Sequence, residues 1–128
     1  NFLWEIPGLD TFGAVAYQRL FNTQLANILH QHINAPIEMD GDDIIVHKEH
    51  EQHGIVQPKG KCSVSITHTK NDAALGHTGI NITAGRRAPT HAFSTNLEDA
   101  EGFMKDVIDM FYGLNDDIFI ATTKIISK

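Results

Sequence analysis

The sequence predicts an α+β domain in which two amphipathic helices pack on one face of an antiparallel sheet of four to six strands. Three observations predict this class: two segments have apolar residues at helical spacing, a third alternates apolar and polar residues, and turn-forming residues separate them. The predicted order is α-β-β-β-β-α-β. With 128 residues, of which 41% are hydrophobic, the chain is expected to form a single domain over 1–128.

The segment 1–9 is predicted to be an extended apolar N-terminal arm. Phe2, Leu3, Trp4 and Ile6 are apolar, whereas Pro7 and the glycine that follows oppose a helix. We expect such an arm to cover the protein's own core or to reach a neighbouring subunit.

The first helix is predicted over about 11–33, with Asp10 as its N-cap and with Pro36 preventing it from continuing. Its apolar face is predicted to contain Tyr17, Leu20, Phe21, Leu25, Ile28, Leu29 and Ile33. Its opposite, polar face is predicted to contain Gln18, Arg19, Asn22, Thr23, Asn27, His30 and Gln31.

Short strands are predicted at 37–39 and 44–46, because the Asp-Gly pair between them favours a tight hairpin turn. Segment 47–60 is polar and contains two glycines and a proline, which predicts a loop.

The clearest alternation covers 62–68, where Cys62, Val64 and Ile66 are predicted to face the core and the intervening Ser63, Ser65 and Thr67 to face outward. A loop at 71–79 and a partner strand at 80–83 complete the predicted centre of the sheet.

The second helix is predicted to begin at a capping box formed by Thr95 and Glu98 and to end near Gly113. Its apolar stripe runs from Leu97 to Leu114. The β-branched segment 118–126 predicts a final strand.

The composition restricts the cellular context. The longest apolar runs are far shorter than the roughly 20 residues of a membrane helix, and the first residues lack signal-peptide features. A single cysteine, Cys62, excludes an internal disulfide framework and a cysteine-based zinc site. We therefore expect a soluble protein that is located in the cytoplasm or in a host cytoplasm. We expect no membrane partner and no cofactor.

Charge is segregated along the chain, whose formal net charge is -6. Segment 59–91 is basic and lies between two acidic segments, 35–58 and 92–128. The candidate binding residues are the cations of the basic segment: Lys59, Lys61, Lys70, Arg86 and Arg87. These cations could contact an acidic surface of a protein partner or of a second copy, or the phosphates of a nucleic acid or smaller ligand.

His47, His50 and His53 are weak candidates for metal ligands. The spacing from His50 to His53 is one residue shorter than the spacing that puts two zinc ligands on one helical face, so solvated loop histidines are the competing interpretation.

No catalytic residues are predicted. Cys62 and His68 would be separated by roughly 20 Å along one strand. Asp40, Asp42 and Asp43 lack the spacing of a calcium loop.

The leading hypothesis is a non-catalytic binding or assembly module that self-associates as a homo-oligomer or docks on a protein partner through its charge-segregated surface. The first alternative is a nucleic-acid or phosphate-ligand binder that uses segment 59–91. The second is a metal-dependent enzyme that uses the three histidines.

Overall fold

The computed structural model describes residues 1–126, which divide into two compact units. The unit of residues 1–98 contains, in chain order, β1 (Phe2–Pro7), α1 (Thr11–Ile33), β2 (Ile37–Asp40), β3 (Asp43–Val46), β4 (His50–Gln52), β5 (Ile55–Gln57), β6 (Gly60–Lys61), β7 (Ser63–Lys70) and β8 (Ala73–Ile80). The unit that begins at Asp99 contains α2 (Ala100–Ile126).

The strands form three antiparallel sheets: sheet A has the order β1-β8-β7, sheet B has the order β2-β3-β6, and sheet C is the hairpin β4-β5. The predicted α+β class with two helices is confirmed, whereas the single sheet of four to six strands is wrong. Only two residues of β6 pair with β3, and Cys62, which follows them, belongs to no strand although its N–H still donates to the Ile44 carbonyl of β3 at 3.1 Å. This break separates sheet B from β7.

The bounds predicted for the first helix are confirmed, and α1 packs on sheet A. The Asp10 carboxylate accepts a hydrogen bond from the Gly13 N–H at 2.7 Å, which caps the first turn. Asn34 ends the helix in the left-handed conformation, with φ 53°. Leu25 and Leu29 are fully buried, as the apolar periodicity predicts.

The predicted polar face of α1 needs a correction, because two of its members lie in the core. Gln18 and Asn22 are only 2% and 0% exposed. Their amide groups meet hydroxyl groups on sheet A, so their burial leaves few hydrogen-bonding groups unpaired. Leu20, predicted to be in the core, is 37% exposed instead.

The β2-β3 hairpin is confirmed. Asp40 pairs with Asp43, and Gly41 adopts a φ of +63° in the two-residue turn between them. Glycine reaches this conformation without a steric cost, which explains why the Asp-Gly signal was informative.

The predicted loop at 47–60 is wrong, since it contains the β4-β5 hairpin and ends in β6. Its turn consists of His53 and Gly54, which have φ values of 57° and 75°. Histidine is one of the few residues with a side chain that adopt this conformation with some frequency, but it is a weaker sequence signal than asparagine or aspartate.

Segment 71–79, predicted to be a loop, forms instead the turn Asn71–Asp72 and most of β8, the central strand of sheet A. Beyond Ile80, segment 81–83 belongs to no strand. Alanine and glycine disfavour strands on average, but here a large neighbour requires a small residue. A Cβ atom on Gly76 would lie 2.0 Å from Cε2 of Trp4, which covers this position from β1. The segment predicted to be an arm therefore supplies an edge strand whose tryptophan is buried.

The alternation in β7 is real, but the predicted orientation is inverted. Ser63 is buried and Ser65 faces α1, whereas Val64 and Ile66 are 50% and 59% exposed. The serine hydroxyls are paired in the interior: Ser63 Oγ accepts from the Ile44 N–H at 2.9 Å. Cys62, which precedes the strand, is buried as predicted.

Helix α2 has 27 residues and continues through Gly113, so the predicted end near Gly113 and the predicted strand at 118–126 are both wrong. Thr122 and Thr123 donate their hydroxyl hydrogens to carbonyls one turn earlier, at 2.9 and 3.0 Å. Such bonds and the small helix penalty of β-branched residues make this segment compatible with a helix.

The helix begins later than the predicted capping box, because Asp99 is the residue that caps it. Its Oδ1 accepts from the Gly102 N–H at 2.9 Å. Thr95 is used elsewhere and donates its hydroxyl hydrogen to the Asn81 carbonyl at 2.7 Å. Within residues 1–126, no helix is both long and apolar enough to cross a membrane.

Candidate functional site

The structure separates the five basic candidates. Lys61 lies in β6, where its Nζ is 3.3 Å from Oδ1 of Asp43 on the neighbouring strand. Lys70 is at the opposite end of β7, roughly 23 Å from Ser63 at the rise of an extended strand. Lys70 therefore does not share a surface with Lys61.

Lys59, Arg86 and Arg87 are exposed, and both chain segments that carry them contact sheet C. The His50 ring nitrogen Nε2 is 3.0 Å from the Lys59 carbonyl. Gln52 donates its amide hydrogen to the Gly85 carbonyl at 3.2 Å. These contacts hold the backbone beside the cations, while the cationic groups themselves reach into solvent.

The three candidate metal ligands have separate partners. His47 pairs with Glu38 at 3.3 Å, His50 contacts the Lys59 carbonyl, and His53 contacts the Ala88 carbonyl. Within the part of the chain that the structure describes, no three His, Cys, Asp or Glu side chains are grouped so that they could hold a metal ion. His50 and His53 therefore make contacts around sheet C, whereas His47 contacts β2 of sheet B.

Cys62 is in an environment that suppresses thiolate formation. Burial raises the pKa of its thiol from 9.0 to about 12, and a backbone hydrogen bond offsets only part of this effect. A thiol with so high a pKa is a poor nucleophile at neutral pH.

A cavity of about 590 Å³ lies between the C-terminal end of α1 and the segments at 48–51 and 93–98. His50 and Phe93 form part of its wall. Their rings meet edge to face, with the ring centroids 5.0 Å apart. Lys48, Glu49 and Glu51 lie at its rim, exposed to solvent. Among the residues described, no buried polar side-chain atom of this wall is left without a hydrogen-bond partner.

The most unusual surface is the side of sheet A that faces away from α1, which we call the outer face. It carries three apolar side chains at high exposure: Leu3 at 81%, Ile66 at 59% and Val64 at 50%. Leu75 is half-buried between them, and a groove of about 500 Å³ runs over this area. An antiparallel sheet with one face in water normally places polar side chains there.

The register of sheet A arranges the outer face in rows across the strands. One row is Leu3, His77 and Ile66, and the next is Glu5, Leu75 and His68. In both rows the apolar and polar residues are interleaved. The His77 ring nitrogen Nε2 is 2.9 Å from Oδ1 of Asn1, and this contact directs the ring toward the first residue of the chain.

The outer face is apolar because the inner face is partly polar. Asn22 of α1 donates to Ser65 Oγ at 3.0 Å and accepts from Thr78 Oγ1 at 2.8 Å. Ser65 and Thr78 are themselves 2.9 Å apart, and Gln18 donates to Ser65 Oγ at 2.9 Å. This network fixes the polar side of β7 against the helix, so the apolar side must face outward.

Sequence reasoning missed the outer face because it assigned the apolar side of β7 to the core. One signal was available. Gln18 and Asn22 are four residues apart and thus adjacent on the helix, next to the large apolar residues Tyr17 and Phe21. Two amides in this position indicate a polar patch in the helix–sheet interface.

Comparison with known proteins gives a fold neighbour only. No protein-family model matches the chain, and no curated protein sequence matches it. A solved structure described as a protein of unknown function from Pyrococcus horikoshi is similar in fold, with a TM-score of 0.66 and 20% sequence identity over 90% of this chain. The chain spans 59% of the length of that protein.

Proposed function

We propose that this protein is an assembly module that associates with a second copy of itself through the outer face of sheet A. The single observation that carries the proposal is the exposure of Leu3, Val64 and Ile66 on one continuous sheet surface. Apolar side chains clustered at high exposure are typical of interaction sites. Face-to-face packing of two sheets would bury them.

A second copy is the occupant that the polar side chains at the two edges of the outer face favour, since a carboxylate can accept a hydrogen bond from an imidazole N–H. Glu5 lies on one edge strand and His68 on the other, with apolar Leu75 between them. A face with an acid on one edge and a base on the other is complementary to itself when two copies meet with their edges exchanged.

The size of the outer face sets the expected strength of association. Three strands about 4.8 Å apart and about six residues long cover roughly 14 by 20 Å. This footprint is well below the roughly 800 Å² that each partner contributes to a stable interface. We therefore expect a reversible dimer with a dissociation constant in the micromolar to millimolar range.

The charge-segregated surface supports the proposal less than the outer face does. Lys61 of the basic segment and Asp43 of the acidic segment pair within one molecule. This contact uses part of the opposite charge that would otherwise be available to a partner.

Sedimentation equilibrium over a wide concentration range tests the proposal. The wild-type protein is expected to show a concentration-dependent dimer that Ile66→Asp and Leu3→Lys both abolish. Ile55→Asp is the matched control, because Ile55 is an isoleucine of similar exposure, 50%, on β5 of sheet C. A wild-type protein that remains monomeric up to about 1 mM, or equal effects of Ile66→Asp and Ile55→Asp, would contradict the proposal.

A further inference from the structure

We infer that the two copies are related by a two-fold axis parallel to β8, so that Glu5 of each copy pairs with His68 of the other. This inference rests on the proposed self-association and adds its symmetry and its charge contacts. The observation behind it is the juxtaposition of an acid, an apolar residue and a base in one row across three strands.

A two-fold axis parallel to the central strand exchanges the two edges of the sheet. β1 of one copy then lies over β7 of the other, and β8 lies over β8. In the row of Leu75, the Glu5 carboxylate of each copy meets the His68 imidazole of its partner. In the neighbouring row, Leu3 meets Ile66, which brings the two most exposed aliphatic side chains of the outer face together.

A two-fold axis perpendicular to the strands also allows face-to-face packing, and it gives a poorer match. It places β1 over β1 and β7 over β7. Centred on the same row, this axis brings two Glu5 carboxylates together at one edge and two His68 rings together at the other. The two carboxylates opposite one another disfavour this arrangement.

Two other polar groups border the contact without reversing this preference. Lys70 on β7 lies in the row next to that of His68, where Pro7 is on the opposite edge strand, so this axis places no like charge opposite it. His77 lies on β8, so this axis places the two His77 rings opposite each other, and the contact of each ring with Asn1 Oδ1 directs it toward its own chain terminus. The contacts between Glu5 and His68 therefore dominate the electrostatic match of the edges.

Charge exchange between the two positions tests the symmetry. Glu5→Lys places a lysine opposite His68, and His68→Glu places two carboxylates opposite each other. Each single variant is expected to raise the dissociation constant of the dimer about tenfold, in keeping with two contacts between Glu5 and His68 lost per dimer and replaced by like charges or by a lysine opposite an imidazole. The double variant with Glu5→Lys and His68→Glu restores opposite charges and is expected to recover most of the affinity.

The readout is sedimentation equilibrium at one pH and ionic strength. Glu51→Lys is the control, since Glu51 is an exposed glutamate on β4 of sheet C. A wild-type dimer that tolerates both single variants, or a double variant as weak as either single one, overturns the inferred symmetry and leaves the self-association intact. A wild-type protein that forms no dimer would contradict the proposed function itself.

Discussion

Asn22 determines which side of a neighbouring strand is buried. Its amide donates to Ser65 Oγ and to the Asp42 carbonyl at 3.2 Å, and its oxygen accepts from Thr78. A buried amide with all these partners stabilises one orientation of β7, because the opposite orientation would leave the amide unpaired.

Asn22→Ala is therefore expected to lower the free energy of unfolding by about 2–3 kcal/mol, because it removes a hydrogen-bond partner from two buried hydroxyl groups and opens a small cavity. Urea denaturation followed by circular dichroism measures the change. Asn27→Ala is the control, since Asn27 is exposed on the same helix, and its effect is expected to stay within about 0.5 kcal/mol. Equal losses in the two variants would argue against a stabilising network.

Cys62 links stability to alkaline pH. Its pKa is about 12 in the folded protein against 9.0 for an exposed thiol, because burial disfavours the thiolate. The folded state thus retains a proton that the unfolded state loses. The stabilisation from the neutral thiol is complete below about pH 9 and is lost as pH rises toward 12.

The expected result is a free energy of unfolding that falls more steeply with pH above pH 9 in the wild-type protein than in Cys62→Ala. Urea denaturation at several pH values measures both slopes, and the variant accounts for lysines and tyrosines that titrate in the same range. Parallel slopes would show that the thiol of Cys62 ionises as easily in the folded protein as in the unfolded one.

At the scale of single elements, α1 and the β2-β3 hairpin were predictable because their signals are local. Asp10 caps the helix through its own side chain, and Gly41 provides the turn conformation directly. The orientation of β7, in contrast, could not be predicted from local signals. It depends on amides that approach from α1, more than forty residues away in the chain.

In helix α2, local signals were present but led to a wrong prediction. Its C-terminal part contains isoleucines and threonines that favour a strand, and Gly113 resembles a helix end. A strand requires a pairing partner, whereas a helix that already exists can be extended one residue at a time. The segment 118–126 accordingly continues α2, and the predicted strand is absent from the described part of the chain.

Strand β8 depends on the absence of a side chain at Gly76, where the Trp4 ring covers the backbone. Gly76→Ala is expected to displace the ring and to cost about 1–3 kcal/mol of folding stability, because overpacking cannot be relieved beside a buried indole. Thermal and urea denaturation, with Trp4 fluorescence as the signal, measure this cost.

Gly85→Ala is the matched control, because a Cβ at Gly85 would meet no atom within 4 Å. It is expected to leave stability unchanged or slightly higher, as a glycine is replaced at an uncrowded position. A Gly76→Ala protein as stable as Gly85→Ala would show that β1 does not pack on β8 through Trp4.

At the scale of the whole molecule, the candidate site was only partly visible in the sequence. The five basic candidates form one cluster in the chain but only partly in space: β7 carries Lys70 away and Lys61 pairs with Asp43, whereas the segments that carry Lys59, Arg86 and Arg87 both contact sheet C. The outer face of sheet A combines β1 with β7 and β8, which lie far from β1 in the chain. Its existence depends on the pairing of distant strands, which no local pattern encodes.

The outer face of sheet A is the centre of the functional account, and its occupancy can be observed directly in solution. Methyl resonances of the protein are to be recorded by NMR at increasing concentration. The account predicts that the methyl signals of Leu3, Val64, Ile66 and Leu75 shift together along one dimerisation curve, while those of Ile55 and Val56 on sheet C stay constant. Signals of the outer face that do not move up to about 1 mM, or shifts centred on sheet C, would contradict self-association through this face.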